Sequence, residues 1–173
     1  ENGLAVPLED LDIDTFGVTT YDQYSWRQLI DGWACTSCAR CQDVCPAYES
    51  GKTLNPMQIV HDVRSFANEH APILLTGNKP DETMMQRLTA DAVWACTTCH
   101  ACVDACPLYI EHVPKLTDLR RNAMMETMEY PEQLNVAMGN LESGSNPYGF
   151  GAHERGDWAK DLDINIGQPA EYI

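Results

Sequence analysis

Residues 35–46, CTSCARCQDVCP, decide how this chain folds, and residues 96–107, CTTCHACVDACP, repeat their pattern. Both stretches follow C-x-x-C-x-x-C-x-x-x-C-P, and together they use all eight cysteines of the chain. Three cysteines in a tight turn and a fourth further along the chain are the ligands of a 4Fe-4S cluster in bacterial ferredoxins. The sequence therefore predicts two 4Fe-4S clusters.

The two stretches are copies of one duplicated segment, offset by sixty-one residues. The match extends beyond the cysteines, because Trp33-Ala34 aligns with Trp94-Ala95. In two-cluster ferredoxins with this pattern the fourth cysteine binds the other cluster, so we predict crossed ligation. The predicted ligand sets are Cys35, Cys38, Cys41 and Cys106 for the first cluster, and Cys96, Cys99, Cys102 and Cys45 for the second.

Three other uses of cysteine explain the pattern less well. Structural zinc takes four ligands in a closed tetrahedron, which does not account for two runs of three cysteines that end in Cys-Pro. Disulfides suit small secreted proteins, and no secretory signal is visible. The segment 96–100 matches the c-type haem pattern C-x-x-C-H, but Ala39 replaces the histidine in the other copy, and Cys102 and Cys106 would be left over.

The charge of the chain argues against one class of partner. The sequence carries 26 acidic and 11 basic residues, for a formal net charge of -15, and each oxidised cluster with its thiolates would add about two negative charges. We therefore expect no nucleic acid partner. The acidic residues form either a solvated surface or a field that steers a basic redox partner. No run of eighteen apolar residues exists, so residues 1–173 do not themselves span a bilayer.

Helix signals dominate the remaining sequence, and alternating strand patterns are nearly absent, so we predict an all-α fold. The predicted helices run from Ser25 to Ile30, from Pro56 to Asn68, from Pro80 through Val93, from a Thr117 cap toward Tyr130, and onward from Pro131, before a loop at 143–151. We predict an N-terminal arm at 1–24, a two-cluster domain at 25–140 and a loop-rich extension at 141–173.

Several segments together resemble a known family. They are the duplicated W-A-C-T-x-C motif, the helical spacer between its copies, N-P-Y-G at residues 146–149 and D-W-A-K at residues 157–160. The chain resembles the iron-sulfur part of heterodisulfide-reductase-like oxidoreductases. This family includes the C subunit of heterodisulfide reductase, iron-sulfur subunits of anaerobic glycerol-3-phosphate dehydrogenase and glycolate oxidase, and electron-transfer-flavoprotein:menaquinone oxidoreductases. The segments at 146–149 and 157–160 favour the last kind.

The resemblance implies an α-helical ferredoxin fold with two 4Fe-4S clusters, followed by a cysteine-rich CCG domain and often a membrane anchor. This sequence shows neither of the last two, so we expect them outside residues 1–173, on this polypeptide or another. The implied function is transfer of single electrons between a flavoprotein dehydrogenase and a quinone or further iron-sulfur centre. The implied location is cytoplasmic, at the inner face of a membrane. The alternative is a catalytic iron-sulfur subunit that acts on a disulfide or an organic acid.

Residues near the cysteines suggest further roles. No dinucleotide-binding motif, phosphate-binding loop or nucleophile-base pair is visible, so we expect the chain to carry electrons without a substrate site. Arg40 either raises the potential of the first cluster or points into solvent. Trp33 and Trp94 either shield the clusters from water or relay electrons. The remaining histidines show no metal-ligand spacing and are expected at the surface or as caps; they are His61, His70, His112 and His153.

Overall fold

The computed structural model describes residues 16–162, and this part of the chain is helical and contains no β-strand. The all-α prediction is confirmed. The α-helices are α1 (Trp26–Ala34), α2 (Arg40–Asp43), α3 (Pro46–Glu49), α4 (Pro56–Leu75), α5 (Met84–Leu88), α6 (Ala90–Ala95), α7 (Ala101–Asp104), α8 (His112–Asn122) and α9 (Gln133–Gly144). Two 3₁₀ helices cover Tyr21–Gln23 and Ala152–Ala159, and a π-helical turn covers Ala123–Thr127.

The chain divides into two compact units, Glu1–Glu129 and Tyr130–Ile173. Both cysteine stretches lie in the first unit. The domain boundaries predicted from the sequence, between residues 24 and 25 and between residues 140 and 141, remain predictions. None of the helices among residues 16–162 is both long enough and apolar enough to cross a bilayer.

Helix α4 forms the centre of the first unit. Its N-cap Asn55 accepts hydrogen bonds from the backbone N–H groups of Met57 and Gln58, and Pro56 occupies the first helical position, where a missing N–H costs nothing. The apolar residues of α4 recur every three or four positions, so one face is buried. The buried residues of this face are Ile59, Val60, Val63, Phe66 and Ala67.

Helix α4 extends beyond the predicted end at Asn68 and passes through Pro72 to Leu75. Tertiary contacts stabilise the extra turns. The ring of His70 stacks on Phe66 at 4.2 Å between centroids, and Arg87, at the end of α5, forms ion pairs with Glu69 and Glu82. The sequence pattern alone could not show these contacts.

Two other helix predictions were wrong in their boundaries. The helix predicted from Pro80 through Val93 is two short helices, because Thr89 adopts a positive φ of 66° between them. Helix α8 begins at His112 and not after a cap at Thr117. The Thr117 hydroxyl instead donates to the Val113 carbonyl inside the helix.

The duplication is visible in the backbone of the first unit. Helices α1 and α6 each end directly before the first cysteine of their motif, and α2 and α7 span equivalent positions. The likeness ends after the last cysteine. Tyr48 lies in helix α3, whereas the equivalent Tyr109 has a φ of 51° and lies outside any helix.

Helix α1 packs closely on α4 through Gly32, where a Cβ would lie 3.1 Å from the Cβ of Arg64. Three of its large apolar residues, Trp26, Ile30 and Trp33, are more than half exposed, whereas Leu29 packs against the core. Helix α1 is therefore held by a close backbone approach rather than by burial of its largest side chains.

The second unit contains α9 and the 3₁₀ helix Ala152–Ala159. The helix predicted from Pro131 begins two residues later, at Gln133, and ends at Gly144 with Ser145 in the left-handed region. In the N-P-Y-G segment, the Asn146 side chain accepts a hydrogen bond from the Tyr148 N–H, and Asn140 donates to the Pro147 carbonyl. These contacts form a turn at the segment that carries part of the family resemblance.

Candidate metal centre

The fold brings the eight cysteines together around two cavities, four at each. The first cavity is lined by Cys35, Cys38, Cys41 and Cys106. The second cavity is lined by Cys45, Cys96, Cys99 and Cys102. Each cavity thus receives three cysteines from one motif and the fourth from the other motif. These are the two groups that crossed ligation requires, and the assignment of each thiol as a ligand remains a proposal.

Within each group the cysteines follow the same order of exposure. At the first cavity, Cys35 is half-buried, Cys38 is exposed, and Cys41 and Cys106 are buried. The cysteines of the second cavity follow the same order. The cavities have similar empty volumes of about 320 and 370 Å³, counted with their open mouths. A group held in either cavity would be covered on most sides and would approach solvent near its second cysteine.

The loops between the cysteines contain non-glycine residues in the left-handed backbone region. Ser37 and Ala39 have φ values of 58° and 63°, and the equivalent Thr98 and His100 have values of 55° and 61°. This conformation costs roughly 1–2 kcal/mol for each residue with a Cβ, and such strain concentrates at functional sites. The same costly turn appears in both copies, which indicates that the turn serves to position the thiols.

The buried thiols are hard to ionise in the protein alone. Burial raises the pKa of the Cys41 thiol to about 11, and the neighbouring Cys35 adds to the effect. Burial likewise raises the pKa of Cys102 to about 12, and Cys96 and other cysteine neighbours add to it. A metal binds the thiolate form, so its binding must displace these protons. The donor sets therefore suit a cationic iron-sulfur centre, which compensates clustered thiolate charge.

His61 lies beside the first group, although the sequence pattern had placed it at the surface or at a cap. Its Nε2 lies 3.7 Å from the Cys35 Sγ and 3.0 Å from the Ser37 Oγ. Helix α4 presents His61 to the loop from twenty-six positions away in sequence. Hydrogen bonds to ligand sulfurs raise cluster potentials, so His61 is a candidate for adjusting the first centre, which the spacing rules missed.

The second group has a different set of neighbours. The Thr98 N–H donates to the Cys96 Sγ at 3.4 Å. The Arg120 guanidinium donates to the carbonyl oxygens of Val93 and Cys96, both at 2.6 Å, and lies 5.2 Å from the centroid of the Trp94 ring. A fixed positive charge therefore lies at the backbone of the second loop, which no sequence motif had indicated.

Neither tryptophan of the duplicated motif lines a cysteine cavity. Trp33 is 52% exposed, and Trp94 lies beneath Arg120 with a buried Nε1 that lacks a partner among the described residues. Arg40 is exposed, and its side chain forms no hydrogen bond or ion pair within residues 16–162. The structure thus favours the solvated alternative for Arg40.

His112 is also misplaced by the sequence pattern, because it is 2% exposed and lines both cysteine cavities. Its Nδ1 is buried and has no hydrogen-bond partner in the described part of the chain. Burial lowers the pKa of His112 to about 4, and the nearby Lys115 adds to this effect. Lys115 is itself fully buried, and it donates to Asp31 and to the Glu111 carbonyl.

The other two histidines lie away from the cysteines. His70 is close to Glu69 and Glu82, in a spacing that could hold a metal ion. Arg87 already pairs with both of these carboxylates, so their negative charge is compensated within the protein. His153 has a side chain that is 85% exposed, as predicted for a surface residue.

Comparison with known proteins identifies the cofactor. Residues 27–107 match the 4Fe-4S dicluster domain. The EtfAB:quinone oxidoreductase of Syntrophomonas wolfei is 33% identical over 174 residues, which cover 87% of this chain and 24% of that protein. No solved structure matches the chain.

Two further relatives extend the comparison. A protein of Chromohalobacter salexigens named "Probable membrane-anchored ferredoxin" is 34% identical over 185 residues, covering 95% of this chain and 28% of the relative. The C subunit of the ferredoxin:CoB-CoM heterodisulfide reductase of Methanosarcina mazei is 32% identical over 117 residues, covering 66% of this chain and 60% of that relative. The chain spans about a quarter of the length of the first two relatives.

The family description and the donor groups agree. Eight cysteines in two groups of four supply the thiolates that two 4Fe-4S clusters need, and the matching domain is a dicluster domain. The cofactors are two 4Fe-4S clusters, as predicted from the two cysteine motifs. The chain is a homologue of these quinone and heterodisulfide oxidoreductases, as the resemblance of its motifs predicted, and its residues 27–107 carry the 4Fe-4S dicluster domain.

Proposed function

We propose that this chain is an electron-transfer module, which passes single electrons through two 4Fe-4S clusters inside a larger oxidoreductase. The observation that carries the proposal is the pair of neighbouring cavities, each lined by four cysteines and both lined by His112. Two clusters with one residue in common between their cavities are close enough to exchange electrons. The first cluster is assigned to Cys35, Cys38, Cys41 and Cys106, and the second to Cys96, Cys99, Cys102 and Cys45.

The partners follow from the relatives. One relative is named as a quinone oxidoreductase, and two others are named as subunits of heterodisulfide reductases. Electrons would enter from a flavoprotein dehydrogenase or another redox protein, and leave toward a quinone or a further iron-sulfur centre. A membrane anchor outside residues 1–173 would hold the assembly at the cytoplasmic face of a membrane.

The alternative is a catalytic protein that acts on a disulfide or organic acid, and it is supported by the similarity to the C and D subunits of heterodisulfide reductases. All eight cysteines of the sequence line the two cavities. None remains for a separate catalytic centre on residues 1–173. We therefore favour electron transfer for this part of the protein.

The first test is the metal content of anaerobically prepared protein. Two clusters require about eight iron and eight acid-labile sulfide per chain. Stoichiometric zinc without sulfide would overturn the cofactor assignment and the proposed function together.

The second test is electron transfer itself. Photoreduced flavin and a soluble quinone are mixed with the cluster-loaded protein, and quinone reduction is followed by its absorbance. We expect the protein to accelerate the reaction, and to be reduced by two single electrons per chain in a dye-mediated titration. Clusters that load fully but cannot be reversibly reduced would instead indicate a structural role.

A further inference from the structure

His112 occupies a unique position between the two groups of cysteines. It is the one residue, within the part of the chain that the structure describes, that lines both cavities. It is the first residue of α8 and is almost fully buried. A side chain in this position contacts whatever fills either cavity.

The imidazole also carries an unpaired polar atom. Nδ1 is buried and has no hydrogen-bond partner among the described residues. Lys115, which faces the ring from the next turn of α8, is already engaged with Asp31 and the Glu111 carbonyl. The Ile110 backbone lies close enough to the ring to favour its protonated form, but it does not reach Nδ1 with the geometry of a hydrogen bond. A buried unpaired polar group costs roughly 1–3 kcal/mol, so a partner within the cavities would recover that cost.

We propose that His112 tunes the two-cluster centre by donating a hydrogen bond from its buried Nδ1 to a sulfur of the adjacent cluster. Such a bond strengthens as the sulfur gains negative charge, so it stabilises the reduced cluster and raises its potential. His112 is a positioning and tuning residue and takes no covalent part in electron transfer. This inference rests on the proposed function, because it requires both clusters to be present.

The duplication makes this effect one-sided. The sixty-one-residue offset places Gly51 at the position equivalent to His112. Gly51 has no side chain to donate, and a Cβ built there meets no atom within 4 Å. The His112 imidazole therefore has no counterpart from the other copy, and its hydrogen bond would add to the difference between the two potentials.

Three substitutions of His112 test the proposal in the cluster-loaded protein. His112→Asn places an amide N–H near the position of Nδ1, His112→Gln places one near the position of Nε2, and His112→Leu removes the donor at similar volume. Each variant is first assayed for iron and sulfide, and is then titrated potentiometrically under paramagnetic resonance detection. The two midpoint potentials are the readout.

We expect the leucine and glutamine variants to weaken reduction of one cluster by about threefold to tenfold, which is a fall in midpoint of up to about 59 mV for one electron. We expect the asparagine variant to retain most of the wild-type midpoint. Leu119→Met is the control, because Leu119 also lies in α8 but lines neither cavity, and it should leave both midpoints in place. Unchanged midpoints in the leucine variant, or equal losses in all three His112 variants, would overturn the proposal.

A direct spectroscopic measurement tests the proposal even if the His112 variants do not bind their clusters. Protein labelled with ¹⁵N-histidine is reduced and studied by pulsed paramagnetic resonance, in a His61→Phe, His100→Ala background that removes the other two histidines near the cysteines. A hyperfine coupling to histidine nitrogen supports the proposal, and its absence refutes it. Failure of the proposed function is distinguishable, because it would appear as missing iron or missing reversible reduction in the wild-type protein.

Discussion

The two cysteine loops share a backbone but differ in what surrounds them. Both turn through left-handed residues at equivalent positions, and both present a half-buried, an exposed and a buried cysteine in the same order. The first loop has the His61 side chain beside its first sulfur, whereas the second has Arg120 bound to its backbone carbonyls. The two copies thus share the backbone geometry that positions their cysteines, while the side chains around the loops differ.

The largest effect should come from breaking the exchange of cysteines between the loops. Cys45→Ser removes a thiol from the second cavity although it belongs to the first motif. We expect it to alter or abolish the cluster of Cys96, Cys99 and Cys102, with loss of up to about four iron per chain. Paramagnetic resonance spectra of the reduced protein, together with iron analysis, measure this.

The reciprocal variant sharpens the same comparison. Cys106→Ser should damage the cluster of Cys35, Cys38 and Cys41. If each substitution instead damaged only the cluster of its own motif, the two loops would be self-contained and the crossed assignment would be wrong.

The next effect concerns the support of the second loop. Arg120→Leu leaves the carbonyls of Val93 and Cys96 without their side-chain donor, and we expect a loss of about 2 kcal/mol of stability. Thermal unfolding of the cluster-loaded protein at one scan rate measures it. Arg121→Leu is the matched control, because this neighbour is exposed and its ion pair within the described part of the chain is with Asp118. Equal effects of the two variants would show that Arg120 does not support the loop.

A smaller effect should follow from the strained turn of the first loop. Ala39→Gly should stabilise the protein by about 1 kcal/mol, because glycine adopts positive φ without the steric cost of a Cβ. Ala39→Val should destabilise it by about as much or more, because a β-branched side chain fits this region poorly. Ala101→Gly is the control, because Ala101 is helical and glycine there should be destabilising. Urea or thermal unfolding of the loaded proteins measures all three.

The smallest effect is on the potential of the first cluster. His61→Phe removes the only histidine nitrogen that the described structure places near the Cys35 sulfur, and we expect a fall on the order of tens of millivolts in one midpoint. Arg40→Ala should change that midpoint less, because Arg40 is exposed and its charge is screened by water and salt. A larger shift for Arg40 than for His61 would mean that long-range charge outweighs hydrogen bonding at this loop.

Repeated local patterns made much of this structure predictable. The eight cysteines, their division into two groups and the helical class all follow from spacing and periodicity. Asn55-Pro56 fixed the start of α4 because capping is a local interaction. These features depend on residues that are close together in the chain.

The remaining features depend on contacts between distant residues. His61, His112 and Arg120 reach the cysteine loops only because α4 and α8 pack beside them. Thr89, Ala39 and His100 adopt positive φ although none of them is glycine, the residue that usually marks this conformation in a sequence. Tertiary structure overrides the local preference at these positions. Sequence reasoning identified the eight cysteines that line the two cavities and missed the neighbouring His61, His112 and Arg120.

The exchange of cysteines between the loops also has a consequence for biosynthesis. Sixty-five residues separate Cys41 from Cys106, although both line the first cavity. At a ribosomal rate of about 5–20 residues per second, roughly 3 to 13 s pass between the synthesis of these two residues. During that interval the nascent chain carries three of the four thiols that line the first cavity, together with Cys45, which lines the second cavity in the folded protein. If the ligands are crossed as we propose, the first cluster reaches its final set of ligands only after both motifs have packed together, and delivery of iron and sulfide would then act on a nearly complete domain rather than on the emerging chain.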